Sequence, residues 1–148
     1  MENITITEGD YAISTDKARI DVMAVHDFLA NYSYWAKDIP LETVRLSVQN
    51  SLCFGLFHHE KQVGFARIIT DFATVAYLGD VYVLQKHRGK GLSKWLISQV
   101  MAYPYLQGLR RWVLLTADAH LLYEKYGWKP IERPDRYMEV FNPNVYKQ

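Results

Sequence analysis

Asp80-Val-Tyr-Val-Leu-Gln-Lys-His-Arg-Gly-Lys-Gly-Leu-Ser-Lys-Trp95 joins an apolar strand to an amphipathic helix through a basic, glycine-containing loop. Glycine reaches positive φ without strain, so Gly89 and Gly91 let successive backbone N–H groups converge. The helix that starts at once carries Leu92, Trp95, Leu96 and Val100 on one face, and its N-terminus adds the positive end of the helix dipole. Lys86, Arg88 and Lys90 reinforce the charge. Phosphate oxygens suit such a loop; the plain alternative is a tight turn with solvated basic residues. The sequences G-x-x-x-x-G-K-[ST] and G-x-G-x-x-G are both missing, which excludes a P-loop and a dinucleotide fingerprint.

Upstream, Thr74 to Leu84, Val63 to Thr70 and Leu52 to Phe57 read as three strands rich in Val, Ile, Tyr and Phe, with His58 to Lys61 as a polar turn. Before them lie two helical stripes. Leu41, Val44 and Val48 follow Pro40 in a first turn, and Ala18, Val22, Val25 and Leu29 follow the capping oxygens of Ser14, Thr15 and Asp16. Tyr11 to Ser14 is a brief strand, and residues 1–10 a short polar leader. Downstream of the loop, Tyr103-Pro104 ends the helix and Trp112 to Thr116 forms a strand. Asp118 caps a short helix that Gly127 closes, and Ile131 with Met138 to Phe141 adds terminal strand residues. The order β, α, α, three strands, α, β, α, β predicts one mixed α/β sheet, an antiparallel meander with parallel pairing after Leu84, and helices on both faces. Residues 1–148 read as a single domain.

A hydrophobic fraction of 49%, a charged fraction of 22% and a net charge of +1 fit an ordinary globular domain with no strong field for nucleic acid or anionic membrane. No apolar run approaches a membrane span. The single Cys53 excludes an internal disulfide framework and a multi-cysteine zinc site. His58-His59 has no carboxylate cluster near it in sequence, so no metal site is expected. A soluble, cytoplasmic protein follows.

A second stretch, Ala119-His-Leu-Leu-Tyr-Glu-Lys-Tyr-Gly-Trp128, narrows the reading. The two stretches together resemble the signatures of the GNAT superfamily of N-acetyltransferases. The first resembles [Q/R]-x-x-G-x-[G/A], with Arg88, Gly91 and, departing from the pattern, Ser93. The second resembles A-x-x-L-Y-E-K-x-G-[F/W] in register. The resemblance implies a GNAT fold of about six or seven strands and four helices, with acetyl-CoA as co-substrate. It implies that the backbone of Arg88, Gly89, Lys90, Gly91, Leu92 and Ser93 holds the pyrophosphate. Val81, Tyr82 and Val83 would pair with pantetheine and polarise the acetyl carbonyl. Tyr123 would protonate the departing thiolate, the alternative being a helix-face aromatic packed in the core. Thr116 stands where the family often has an Asn touching pantetheine.

The base is read from the residues. Asp80 is the only acid in an otherwise apolar strand, and Gly79 beside it suggests a bulge. Such an acid either accepts a proton from an amine or is a structural partner of Arg67. Asp71, in the preceding turn, is a lesser candidate. Tyr32, Tyr34 and Trp35, between the first two helices, would stack on an amine or else anchor their loop. Lys94, Arg110 and Arg111 could meet the adenosine 3′-phosphate, and His26 and His120 receive no role. The expected activity is transfer of acetyl to a primary amine of a small molecule by direct attack in a ternary complex. The alternatives are a peptide acceptor or a non-catalytic coenzyme A-binding module. A homodimer is expected by analogy alone.

Overall fold

Part of the segment expected as a polar leader, residues 1–10, forms a strand. The computed structural model, which describes residues 1–147, pairs Thr5–Glu8 (β1) with Tyr11–Ser14 (β2) across Gly9-Asp10, with Gly9 at φ +59°. A two-residue turn with glycine at positive φ suits an antiparallel hairpin. Ser14 and Thr15 serve this hairpin rather than a helix. Ile4 N donates to Thr15 Oγ1 at 2.9 Å, and Thr5 Oγ1 donates to Ser14 Oγ at 3.2 Å.

The first long helix accordingly starts later than its apolar stripe suggests. Asp16 caps only a 3-10 turn over Lys17–Arg19, and Asp21 caps Val22–Tyr32 (α1) by accepting from Ala24 N. Pro40 is the N-cap of Leu41–Gln49 (α2), not a residue of its first turn. Leu52–His58 (β3), Lys61–Thr70 (β4) and Val75–Val83 (β5) form the expected meander, and Leu92–Met101 (α3) crosses over to Arg111–Leu114 (β6). The sheet order is β1-β2-β3-β4-β5-β6, antiparallel throughout except for the β5–β6 pair. The parallel pair needs the helical crossover that α3 supplies.

Alternation along β3, β4 and β5 gives the sheet two buried faces. Phe54, Leu56, Ile68 and Leu78 pack with Leu96, Ile97 and Val100 of α3. On the other side Phe65 and Tyr82 pack with Val25 and Leu29 of α1 and Val44 and Val48 of α2. No helix among the described residues is long and apolar enough to cross a membrane.

Three expectations near the C-terminus fail. Asp118 does not cap His120–Glu124 (α4): Ala119 is its N-cap, and the turn is made by Thr116 Oγ1, which accepts from Ala119 N at 3.0 Å. That turn also ends β6 at Leu114, short of the expected Thr116. Ile131 and Met138 to Phe141 belong to no strand, so the sheet has six strands.

Two irregularities open the sheet near its middle. Phe65 pairs with Tyr82 and Arg67 with Gly79, which leaves Asp80 and Val81 opposite Ala66 alone. Asp80 carries the bulge at φ +54°, a conformation that short polar side chains tolerate best. β6 covers only Val75 to Leu78, so the β6-facing edge of Gly79 to Val83 has no strand beside it among the described residues.

Candidate active site

The glycine loop delivers Arg88 to Ser93 to one side of this opening. Gly89 and Gly91 sit at φ +79° and +75°, and Gly91 is the N-cap of α3 without any side-chain capping bond. The first N–H groups of α3 therefore remain available to an anion. A cavity of about 350 Å³ lies against them. Val83, Arg88, Gly89, Gly91, Leu92 and Ser93 line it, together with His87, Lys94 and Leu122 of α4. The open β5 edge, the unpaired helix N-terminus and the absence of Cβ atoms at both glycines fit an extended ligand ending in a pyrophosphate.

Not every loop side chain faces the cavity. Lys90 Nζ turns to Tyr11 Oη at 3.3 Å, and Arg88 Nε donates to Val83 O at 2.9 Å. Lys94 lies at the cavity and presses on Lys125, whose ammonium its contact and charge hold below the ordinary value. Arg111 instead stacks over Tyr137, with Cζ 5.7 Å from the ring centre. The Thr116 hydroxyl is used in its own turn, accepting from Asp118 N and Ala119 N.

Tyr123 is 8% exposed and packs against Trp128, with ring centres 5.9 Å apart. Burial, with Tyr34 and Asp118 adding to it, pushes its hydroxyl up to about 12, so it keeps its proton at neutral pH. Tyr126, one turn on, donates from its hydroxyl to Lys94 O at 2.8 Å and ties α4 to the start of α3.

Across the opening, Asp80 is held from two sides. Arg67 Nε donates to Oδ2 at 2.7 Å and Trp35 Nε1 to Oδ1 at 2.8 Å, and the Arg67 and Asp80 side chains are 17% and 10% exposed. The Arg67 partnership read from the sequence is therefore real. It still leaves a free lone pair on each carboxylate oxygen. The sequence alone gave no sign of the Trp35 bond, which spans 45 residues.

The α1–α2 connection is brought to the same opening by Ser33. Its Oγ donates to Leu29 O and accepts from Ala36 N, which turns the chain sharply after α1. Tyr34 then reaches Ala117, whose N–H donates to Tyr34 Oη at 2.8 Å. Tyr34 and Trp35 thus bridge Asp80 to the loop after β6. Tyr32 does not join them; it is 72% exposed and stacks on Phe28. The Tyr82 side chain faces away, stacked on Phe28 at 4.0 Å, and only its backbone borders the opening.

Asp71 is a turn residue. Its carboxylate accepts from Ala73 N, Thr74 N and Thr74 Oγ1, and these bonds hold it well below the usual carboxylate range. His120 is exposed. His26 Nε2 lies 3.0 Å from Ile39 O beside a second cavity of about 430 Å³, also lined by Asp38, Pro40 and Tyr146. None of the candidate catalytic groups reaches that cavity. Beside His58-His59 the fold sets the carboxylate of Asp10, from the β1–β2 turn. The ligand atoms of Asp10, His58 and His59 lie within 4.8 Å of one another, and His59 N donates to Asp10 O. His87, unremarked in the sequence, lines the first cavity and contacts Tyr11 Oη at 2.8 Å; desolvation with the charges of His58 and Lys90 holds it below its ordinary value.

The comparisons with known proteins agree with this geometry. Residues 49–130 match the model of the acetyltransferase (GNAT) domain. A Gibberella zeae protein provisionally named an acetyltransferase is 36% identical over 146 residues, covering 83% of this chain and 81% of its own. A crystal structure from Xanthomonas campestris, provisionally assigned as a GNAT-family acetyltransferase, is 48% identical with a TM-score of 0.92. That match covers 96% of this chain and 100% of the other. A GNAT family acetyltransferase from Elizabethkingia anophelis, crystallised with acetyl-CoA bound, shares the fold at 16% identity and a TM-score of 0.62, over 91% and 90% of the two chains. The chain belongs to the GNAT acetyltransferase family.

Proposed function

We propose that the protein transfers acetyl from acetyl-CoA to a primary amine of a small molecule, by direct attack within a ternary complex. The observation that carries this reading is the edge of β5 from Gly79 to Val83, which no strand covers among the described residues, running into the anion loop. Pantetheine lies along that edge like an added strand, and the pyrophosphate sits on the N–H groups of Arg88 to Ser93. A backbone N–H of Val81 to Val83 hydrogen-bonds the thioester oxygen as negative charge develops on it.

Asp80 accepts the amine's proton on a lone pair left free by Arg67 and Trp35. The C–N bond forms, the C–S bond breaks, and Tyr123 gives its proton to the leaving thiolate. Burial keeps this hydroxyl protonated when thiolate departs, and at the same time makes it a weaker acid than an ordinary tyrosine. Tyr34 and Trp35 present ring faces to a cationic or amine-bearing acceptor before deprotonation. With this reading goes a cytoplasmic setting, a compartment that keeps a lone thiol such as Cys53 reduced.

Isothermal titration with acetyl-CoA and, separately, with ATP tests the reading, followed by a screen of small amines against peptides. Micromolar binding of acetyl-CoA but not ATP, with turnover on small amines, is expected. Transfer only to peptides overturns the acceptor class. Tight acetyl-CoA binding with no turnover on any acceptor overturns catalysis.

A further inference from the structure

Two turns at one end of the sheet bring together three groups that the acetyl-transfer reading does not use. Gly9-Asp10 closes the β1–β2 hairpin, and His59-Glu60 closes the β3–β4 hairpin. Tyr11 pairs with His58 across the β2–β3 ladder, so the two turns lie side by side, and His59 N donates to Asp10 O at 3.2 Å. Consecutive side chains of a regular strand point to opposite faces, which would keep His58 and His59 apart. Here β3 ends at His58, and His59 stands at φ +55°, with the two ring centres only 4.4 Å apart. One ring nitrogen of each histidine and one carboxylate oxygen of Asp10 lie within 4.8 Å of one another.

That spacing is close to what a metal ion needs. Donors held at about 2.0–2.1 Å in a tetrahedral array stand roughly 3.3 Å apart. Rotation of the exposed Asp10 and His59 side chains covers the difference, while the paired strands beneath keep the backbone in place. On its inner side His58 packs on Tyr11, with ring centres 4.8 Å apart.

The donor atoms select the ion. Two imidazoles and one carboxylate suit Zn²⁺ or Ni²⁺, whereas Mg²⁺ and Ca²⁺ take oxygen ligands. Charge selects in the same direction. Lys90, Lys61 and Lys86 stand within electrostatic reach of His87, whose ring centre is 5.2 Å from that of His58. A hard cation held mainly by the Asp10 carboxylate would be repelled by them. A borderline-soft ion draws its binding from neutral imidazole nitrogen and depends less on net charge. Lys90 is also turned to Tyr11, with Nζ 3.3 Å from Oη.

We propose that Asp10, His58 and His59 bind a transition-metal dication of the zinc or nickel kind, with water completing its shell. The ion fastens the β1–β2 turn to the β3–β4 turn at the end of the sheet. It sits outside the coenzyme cavity but next to it, since His87 lines that cavity and lies beside His58.

Calorimetric titration of the untagged full-length protein with ZnCl₂ tests this, with MgCl₂ as the contrasting probe. One equivalent of Zn²⁺ should bind with a Kd of about 10 µM or tighter. Mg²⁺ should bind at least ~100-fold more weakly. Asp10→Asn and His59→Asn should each weaken zinc binding at least ~10-fold; asparagine tolerates the positive φ at position 59. His120→Gln, an exposed histidine on α4, should leave it unchanged. Should either variant fail to fold, the natural protein labelled with ¹⁵N still decides, because zinc should shift the ring signals of His58 and His59. Zinc binding that both substitutions leave intact overturns the proposal, as do ring shifts confined to the other histidines. Mg²⁺ binding as tight as that of Zn²⁺, or no saturable Zn²⁺ binding below about 1 mM, overturns it as well.

Discussion

Replacing Arg67 with Met should cost about 3 kcal/mol of stability, by removing the cation that, among the described residues, faces the Asp80 carboxylate at hydrogen-bond distance. Met preserves most of the arginine stem and its packing. What it removes is the 2.7 Å bond to Oδ2 and the 3.1 Å bond from Nη1 to Ser51 Oγ. The carboxylate left behind is 10% exposed, with Trp35 Nε1 as its remaining donor. Breaking a buried ion pair at one end costs about 3–5 kcal/mol. The lower end applies here, because the pair lies at the rim of an opening and one donor survives. For a chain of this length each kcal/mol moves the melting temperature about 2–4 °C, so a drop of about 6–12 °C is expected. The loss bears on the site as well, since Asp80 holds a left-handed conformation whose intrinsic cost is about 1–2 kcal/mol. Urea unfolding at pH 7 of the natural protein, Arg67→Met, Asp80→Asn and the double variant isolates the pair, asparagine being chosen because it tolerates positive φ. A coupling energy of about 2 kcal/mol is expected. Coupling below about 0.5 kcal/mol, or a single Arg67→Met cost under about 1 kcal/mol, would refute the claim that this buried pair stabilises the fold.

Other outcomes can be checked independently. Tyr123→Phe should lower turnover at least ~100-fold and leave acetyl-CoA affinity within about two-fold; an unchanged rate removes Tyr123 from proton transfer. Gly91→Val forces a branched side chain to φ +75° at the start of α3, so acetyl-CoA affinity measured by titration should fall at least ~10-fold, and undiminished affinity in folded protein would sink the loop assignment. Burial pushes the Cys53 thiol up to about 11, so alkylation by iodoacetamide at pH 8 should run about 100-fold slower than for an ordinary thiol. Because the folded thiol holds its proton more tightly than the unfolded one, stability should also decline by about 3 kcal/mol as pH rises from about 9 to about 11. Cys53→Ala should lack that component, and identical pH curves for the two proteins would contradict the burial argument.

The anion loop could be read in advance because its geometry is local. Two glycines at positive φ and a helix start within the same few residues need no distant partner. The hairpin at Gly9-Asp10 was legible on the same terms. Its signal is weak because β1 is an edge strand of mostly exposed residues, without the apolar alternation of a half-buried strand. The late start of α1 was less accessible. Ser14 and Thr15 are good capping residues by type, and only the pairing of β1 with β2 diverts their hydroxyls.

Sequence by itself determined the order of elements from β2 to α4, the anion loop, and the presence of Tyr123 on a short helix, since periodicity, glycine conformation and capping act over a few residues. It also put Asp80 and Arg67 on neighbouring strands as potential partners. Tertiary structure alone decided that Trp35 closes on Asp80, that Tyr34 spans 83 residues to Ala117, and that Asp10 joins His58 and His59. Such contacts depend on where crossovers and bulges set whole elements down, and a single bulge residue turns the side chains after it to the other face.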